Sequence, residues 1–507
     1  MSKFLKGTMI LIVAGLLTRI LGFINRIVVA RLIGEEGVGL YMMAVPTLVL
    51  AITVTQFGLP VAISKLVAEA EAVGDKRKVK KILVVSLSIT VVLSFIFFPA
   101  LLAIAPILSN TLFTDARVYY PLVAIAPVVP IVAVSSVLRG YFQGRQEMKP
   151  YAYSQLLEQA VRITLIAAFT TAFLPYGIEY AAAGAMISAV VGELVSLICL
   201  FITFKRKKPI RIRYHFFAYV KQGKDTFVSL MRIAVPTLGS RMIGSIAWFF
   251  EPIVVAQSLA LAGITATNAT KQYGELTGYA LPLLMLPSFI TYALATSLVP
   301  AISEAAAQKQ HRLIEYRLHQ AVRLSLFAGG LSIVVLYVLA EEIMHLMYGA
   351  NQAAIFVKVM APFFIFYYLQ GPLQAVLQAL DLAKEAMTNS LIGAVVKTAL
   401  IFWLASQPSL GIMGAALAIT VGIMIVTLLH AATIVKAISL TLYIKQYVAH
   451  FVVIVSVAAI GHMLVPILPF SLLMKTIVVI VIMTFIYLVL AQSFRLIEKD
   501  EFRQLFR

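Results

Sequence analysis

Residues 126–166 read APVVPIVAVSSVLRGYFQGRQEMKPYAYSQLLEQAVRITLI, and residues 361–401 read APFFIFYYLQGPLQAVLQALDLAKEAMTNSLIGAVVKTALI. Laid over each other without a gap, they agree at Ala126/Ala361, Pro127/Pro362, Leu138/Leu373, Gln143/Gln378, Lys149/Lys384, Leu156/Leu391 and Leu165/Leu400, and Arg162 stands against Lys397. Apolar matches mean little in a chain this hydrophobic, so the glutamine, lysine and arginine positions carry the argument. The start of each copy repeats more loosely. TRILG (18–22) resembles SRMIG (240–244), IVVA (27–30) recurs at 253–256, and AIS (62–64) recurs at 301–303. The chain is a tandem duplication, and its fold is that of one copy built twice.

What each copy is made of follows from composition. The 507 residues are 61% hydrophobic and 12% charged, against a charged share of about 25% in soluble domains. The mean hydropathy is +0.96. Roughly fourteen apolar runs of about 20 residues follow one another, each long enough for a transmembrane helix. Pro46, Pro60, Pro127, Pro130, Pro236 and Pro282 lie within runs and fit kinked membrane helices. The expected fold is an all-α polytopic membrane protein with two pseudo-symmetric six-helix lobes and two added C-terminal helices. Its parts are an N-terminal lobe over 1–204, a basic cytoplasmic linker over 205–228, a C-terminal lobe over 229–436, and the added pair with a tail over 437–507. Six is even, so both copies enter the membrane in the same sense, as in transporters with parallel repeats.

The formal charge is +19. The basic residues stand between apolar runs, as in GDKRKVKK (74–81) and KRKKPIRIRY (205–214), so they read as topology determinants and not as a nucleic-acid surface. About 31 of the 41 lysines and arginines fall on one side if the N-terminus is inside, which places both termini in the cytoplasm of a bacterial cell membrane. The basic stretch 205–224 is also placed to touch anionic lipid head groups. The start, MSKFLKGTMILIVAGLL, lacks a small-residue cleavage site and reads as an uncleaved first span. Cys199, the single cysteine, reads as a small packing residue. The histidines lack ligand spacing, so neither a metal nor a cofactor is expected.

The charges inside the apolar runs need a reason. Arg19 lies roughly 22 Å along a helix starting near Phe4, too deep for easy snorkelling. Arg26 is seven residues on, about 20° away on the same face. Arg241 is the repeat partner of Arg19, as Lys397 is of Arg162. Two pairs of embedded cations from equivalent positions suit a shared central cavity for an anion, and guanidinium forks match phosphate oxygens. For Arg162 an alternative stands beside this one, a structural pair with Glu158 at i−4. Glu193 and Glu251 are also embedded. Glu251, just before Pro252, suits either a proton or sodium site or a partner for Arg241.

The stretches FLKGTMILIVAGLLTRILGFINRIVVARLIGEEGVGLYMM, TQFGLPVAISKLVAEA, VSSVLRGYFQG, WFFEPIVVAQSLA, KQYGELTG and KVMAPFFIFYYLQGPLQAVLQAL resemble the polysaccharide-transporter branch of the multidrug/oligosaccharidyl-lipid/polysaccharide exporter superfamily. The resemblance covers both lobes and implies export of a lipid-linked saccharide precursor. A more distant likeness is to the lipid II flippases of the same superfamily. Arg19 matches the first essential arginine of their first span. Their second falls at Asn25, with Arg26 displaced by one position, and their arginines in spans 2 and 8 have no counterpart here.

The expected activity is alternating-access flipping of an undecaprenyl-pyrophosphate-linked saccharide, with Arg19, Arg26 and Arg241 on the pyrophosphate and Arg162 and Lys397 behind them. Its driving force is a sodium or proton gradient or the membrane potential. A cation-coupled drug exporter would instead need an acidic cavity. A non-transporting scaffold for peptidoglycan-synthesis enzymes would tolerate loss of the arginines. An enzyme would need a catalytic constellation that the sequence lacks.

Overall fold

The computed structural model describes residues 3–207, 216–438, 444–494 and 496; residues 208–215 of the basic linker and the tail from 497 lie outside the described residues. Every regular element among the described residues is helical. In hydrocarbon no water is available to backbone N–H and C=O groups, and a helix satisfies them within the segment.

The chain forms two compact units, Met1–Gly274 and Glu275–Arg507. The first holds α1 (Lys3–Gln56), α2 (Leu59–Ala72), α3 (Lys76–Ile107), α4 (Tyr119–Ile125), α5 (Val128–Gly144), α6 (Met148–Phe173), α7 (Ile178–Lys207), α8 (Phe216–Lys221), α9 (Lys224–Leu261) and α10 (Ala266–Gly274). The second holds α11 (Leu281–Met285), α12 (Ser288–Ala307), α13 (His311–Val338), α14 (Ala340–Tyr348), α15 (Ala354–Met360), α16 (Phe364–Ala379), α17 (Ala383–Ala405), α18 (Ile412–Ala437), α19 (Ile444–Ile467) and α20 (Leu472–Ser493). Within these, 13 helical ranges among the described residues are long and apolar enough to cross a membrane. The first, Val13–Ala72, has 60 residues, room for two of the expected spans.

The break inside that range is sharper than the sequence suggests. GEEGVG (34–39) reads as a loop, yet only Gly34 leaves helical geometry, at φ 66°. Glycine reaches that region without a Cβ penalty. The helix restarts at once with Glu35 and Glu36 in its first turn, where acids complement the helix dipole.

The duplication is visible in the packing. In the first unit α6 packs on α7, and α5 packs on α2, α3 and α7; in the second α17 packs on α18, and α16 packs on α12, α13 and α18. The cores correspond too, with Leu59, Ile63, Leu138 and Tyr141 in one and Leu298, Ile302, Leu373 and Val376 in the other. The added helices α19 and α20 dock on α13 through Val334, Val453, Val457 and Met483. There the Tyr487 hydroxyl donates to the Phe327 carbonyl at 3.0 Å, which meets the need of a buried phenol for a polar partner. Helix α9, which the repeat places at the start of the second copy, lies in the first unit and packs on α1 and α2. Large apolar side chains such as Phe95, Phe485 and Ile467 stay exposed, as a lipid-facing surface requires.

Candidate functional site

Three helices of the first unit bring four charges together. Arg139 of α5 donates to Glu193 of α7 at 2.8 Å and reaches Glu158 of α6 at 3.5 Å, while Arg162 of α6 donates to Glu158 at 2.7 Å. Ser135 donates to Glu193 at 2.8 Å, Arg139 also donates to Ser196 at 3.1 Å, and its guanidinium lies 5.9 Å from the Tyr151 ring centre. Both carboxylates are buried. Two cations and two anions close a neutral cluster, the condition for keeping ions out of water. The pairing of Arg162 with Glu158 is thus present, and it belongs to a larger network centred on Arg139. The sequence offers little to single out Arg139, because RGYFQGRQEMK (139–149) reads as a basic loop. The helix instead runs to Gly144, and the buried Glu193 without a partner on its own face is the signal that a cation must come from elsewhere.

Arg162 and Lys397 sit alike in their units. A Cβ on Gly192 of α7 would lie 3.4 Å from the Arg162 Cβ, and one on Gly422 of α18 would lie 2.8 Å from the Lys397 Cβ. In both copies a glycine on the neighbouring helix makes room for the cation's stem.

The other sequence-derived cations differ in kind. Arg19 and Arg241 are exposed along apolar helices, and Arg26 is half-buried with no ion pair among the described residues. Arg241 donates to Gln56 of α1 at 3.3 Å, not to Glu251, and one turn away Thr53 and Ser245 share a hydrogen bond of 2.9 Å. These two contacts tie the end of α1 to α9. Glu251 is buried on α9. Asn25 is buried and its Oδ1 has no hydrogen-bond partner.

A second polar seam joins the α1 kink, the segment before α4, and α10. Asp115 accepts from Thr270 at 2.8 Å and from Arg117 at 2.9 Å, Arg117 also pairs with Glu36, and Lys271 pairs with Glu35 at 3.0 Å. Gln257 of α9 donates to the carbonyls of Thr111 and Leu112 at 2.9 and 3.1 Å. Two glycines permit the approach. A Cβ on Gly39 would lie 2.0 Å from the Thr270 carbonyl oxygen, and one on Gly274 would lie 2.3 Å from that of Glu35. Burial pushes the Asp115 carboxyl up, but the hydrogen bonds from Arg117 and Thr270 outweigh it and hold the pKa below the ordinary 3.8.

Residues 4–306 match the family described as polysaccharide biosynthesis protein, and residues 276–403 match the MatE family. The chain is 62% identical over 506 residues to stage V sporulation protein B of Bacillus subtilis (strain 168), covering 99% of this chain and 98% of that protein. It is 26% identical over 422 residues to the lipid II flippase MurJ of the same organism, covering 79% and 77% of the two. A solved structure of the lipid II flippase MurJ in an inward closed conformation superposes with a TM-score of 0.72 at 16% identity, covering 98% of this chain and 99% of that one. The chain therefore belongs to the polysaccharide biosynthesis protein family, and it is a multi-pass membrane protein with the fold of the solved flippase.

Proposed function

We propose that the protein is a flippase for an undecaprenyl-pyrophosphate-linked saccharide, a peptidoglycan precursor such as lipid II, serving spore cortex synthesis. The observation that carries the reading is the pair Arg19 and Arg241, exposed on apolar helices of one unit. A guanidinium turned to hydrocarbon is costly, so such residues face a wet cavity. There they attract an anion, and a pyrophosphate offers the oxygens that guanidinium forks match. Arg26 completes the stripe on α1. The names of the relatives, a sporulation protein and a lipid II flippase, favour the same substrate class.

The head group loads from the cytoplasmic leaflet, the polyprenyl tail stays in the bilayer, and alternating access exposes the saccharide outside. Glu251 and the Glu158/Glu193 pair are the carboxylates through which a proton or sodium gradient would act; otherwise the membrane potential acts on the moved charge at about 2.3 kcal/mol per charge per 100 mV.

The test is translocation of labelled lipid II in proteoliposomes by wild type, Arg19→Ala and Arg241→Ala, each checked for insertion and monodispersity. Wild type is expected to flip the head group and both variants to lose most of that rate. No flipping under a membrane potential and under proton and sodium gradients rejects lipid II as substrate, and unchanged flipping in both variants rejects the arginine site.

A further inference from the structure

Helices α2, α3, α8 and α9 enclose a cleft of about 560 Å³ at the end of the first unit where α3 and α9 begin, a volume typical of small-ligand sites. Its charged lining is of both signs. Arg77, Lys78 and Lys81 face it from α3, and Glu69, Asp75 and Asp225 face it from the surrounding segments. Asp75 is partly spent, because its carboxylate caps α3 by accepting from the Lys78 backbone N–H at 2.8 Å. Among the described residues no ion pair joins these cations to these acids. Six charges, three of each sign, therefore line one cleft with no direct ion pair among them.

A ligand of a single sign would leave half of that lining repelled or unmatched. A simple phosphate suits the cations and faces the acids, and a simple amine does the reverse. A zwitterion with a phosphate and a primary ammonium a few ångströms apart satisfies both. The position selects its source. The cleft sits where apolar runs give way to the basic segments 76–81 and 205–224, the depth of lipid head groups. The short helix α8 carries Tyr219, which lines the cleft and lies 4.8 Å from the Lys80 ammonium; an aromatic ring of this kind is at home in the membrane interface.

We infer that this cleft binds the head group of an aminophospholipid, with the phosphate against Arg77, Lys78 and Lys81 and the ammonium against Glu69 and Asp225. This site is separate from the arginines Arg19 and Arg241, and the inference does not depend on which substrate is transported.

The experiment is native mass spectrometry of the full-length protein in detergent, after exposure to an equimolar mixture of phosphatidylethanolamine, phosphatidylcholine and phosphatidylglycerol. Wild type is expected to retain phosphatidylethanolamine about three- to tenfold above the other two, the scale that a few exposed charge contacts supply. Lys81→Gln and Asp225→Asn should each remove that preference, while Lys76→Gln, outside the lining, should keep it. Asp225 is exposed and Lys81 half-buried, and if one variant fails to fold the other decides. A preference for phosphatidylglycerol, or a phosphatidylethanolamine preference unchanged in the folded variants, overturns the inference. Soluble glycerophosphoethanolamine should displace the lipid only at far higher concentration; displacement at equal concentration would make the ligand a water-soluble phosphoamine and overturn the lipid assignment.

Discussion

Replacing Gly39 by alanine puts the Asp115 seam under a load that can be worked out in advance. The new Cβ would meet the Thr270 carbonyl oxygen at 2.0 Å, and an ordinary contact needs about 3.4 Å, so α1 and α10 must part locally by about 1.4 Å. Asp115 is tied to α1 through Arg117 and Glu36, so a Thr270 that backs away from α1 strains or breaks its 2.8 Å hydrogen bond to Asp115. Overpacking costs about 1–3 kcal/mol and a hydrogen bond to a charged group about 1.5–3 kcal/mol, while Gly→Ala in a helix returns up to about 1 kcal/mol. The seam should weaken by about 2–4 kcal/mol, a rise of at least about thirtyfold in its opening equilibrium. Hydrogen exchange of the amides of 266–274 reads that equilibrium when closing is fast. Gly239→Ala is the control, since a Cβ there meets nothing within 4 Å. Exchange unchanged in Gly39→Ala, or raised equally in Gly239→Ala, would refute the reasoning.

The same seam should respond to acid. Asp115 has a folded pKa below its ordinary 3.8, so its contribution is fully present well above that value and is lost as pH falls below 3.8 toward the folded pKa. Thermal unfolding in detergent between pH 6 and 3 should show a steeper loss for wild type than for Asp115→Asn, and parallel curves would sink the assignment. In the buried cluster, Arg139→Ala leaves Glu193 without its cation and should cost about 3–5 kcal/mol. Adding Glu193→Gln should recover part of that loss in the melting temperature, and a double variant no better than the single would show that the two do not act as a pair.

The sequence disclosed the repeated architecture because the hydrophobic pattern and the polar identities Gln143/Gln378 and Lys149/Lys384 are properties of the chain itself. The added helices α19 and α20 were visible as apolar runs outside the repeat for the same reason. Less legible was anything set by contacts between distant segments. The partner of Glu193 is Arg139, 54 residues earlier, and a pattern search reads that arginine with the loop beyond it. The Gly39 and Gly274 contact joins positions far apart in sequence, and a lone glycine in an apolar helix has many explanations. Gly34 misled in the other direction. A six-residue motif rich in glycine and acid suggests a loop, yet one residue at positive φ turns the chain and the two acids serve the next helix.

The cations of the first unit then divide by what balances them. Arg139 and Arg162 share two buried carboxylates, and their charge is already answered inside the helix bundle. Sequence treated Arg162 as both a substrate ligand and an ion-pair partner, and the cluster explains why its position is guarded even when no substrate is bound, since losing either arginine strands a carboxylate in a low-dielectric core. Arg241 is different. Its hydrogen bond goes to the neutral Gln56, which orients a guanidinium without cancelling its charge. A cation held in place by an amide keeps its full field for a mobile anion, whereas one held by a carboxylate does not. Replacing Gln56 by glutamate should therefore pair Arg241 permanently and slow flipping of a pyrophosphate-linked substrate, while Gln56→Ala should slow it less. Equal rates in both variants would mean that the field of Arg241 does not reach the substrate.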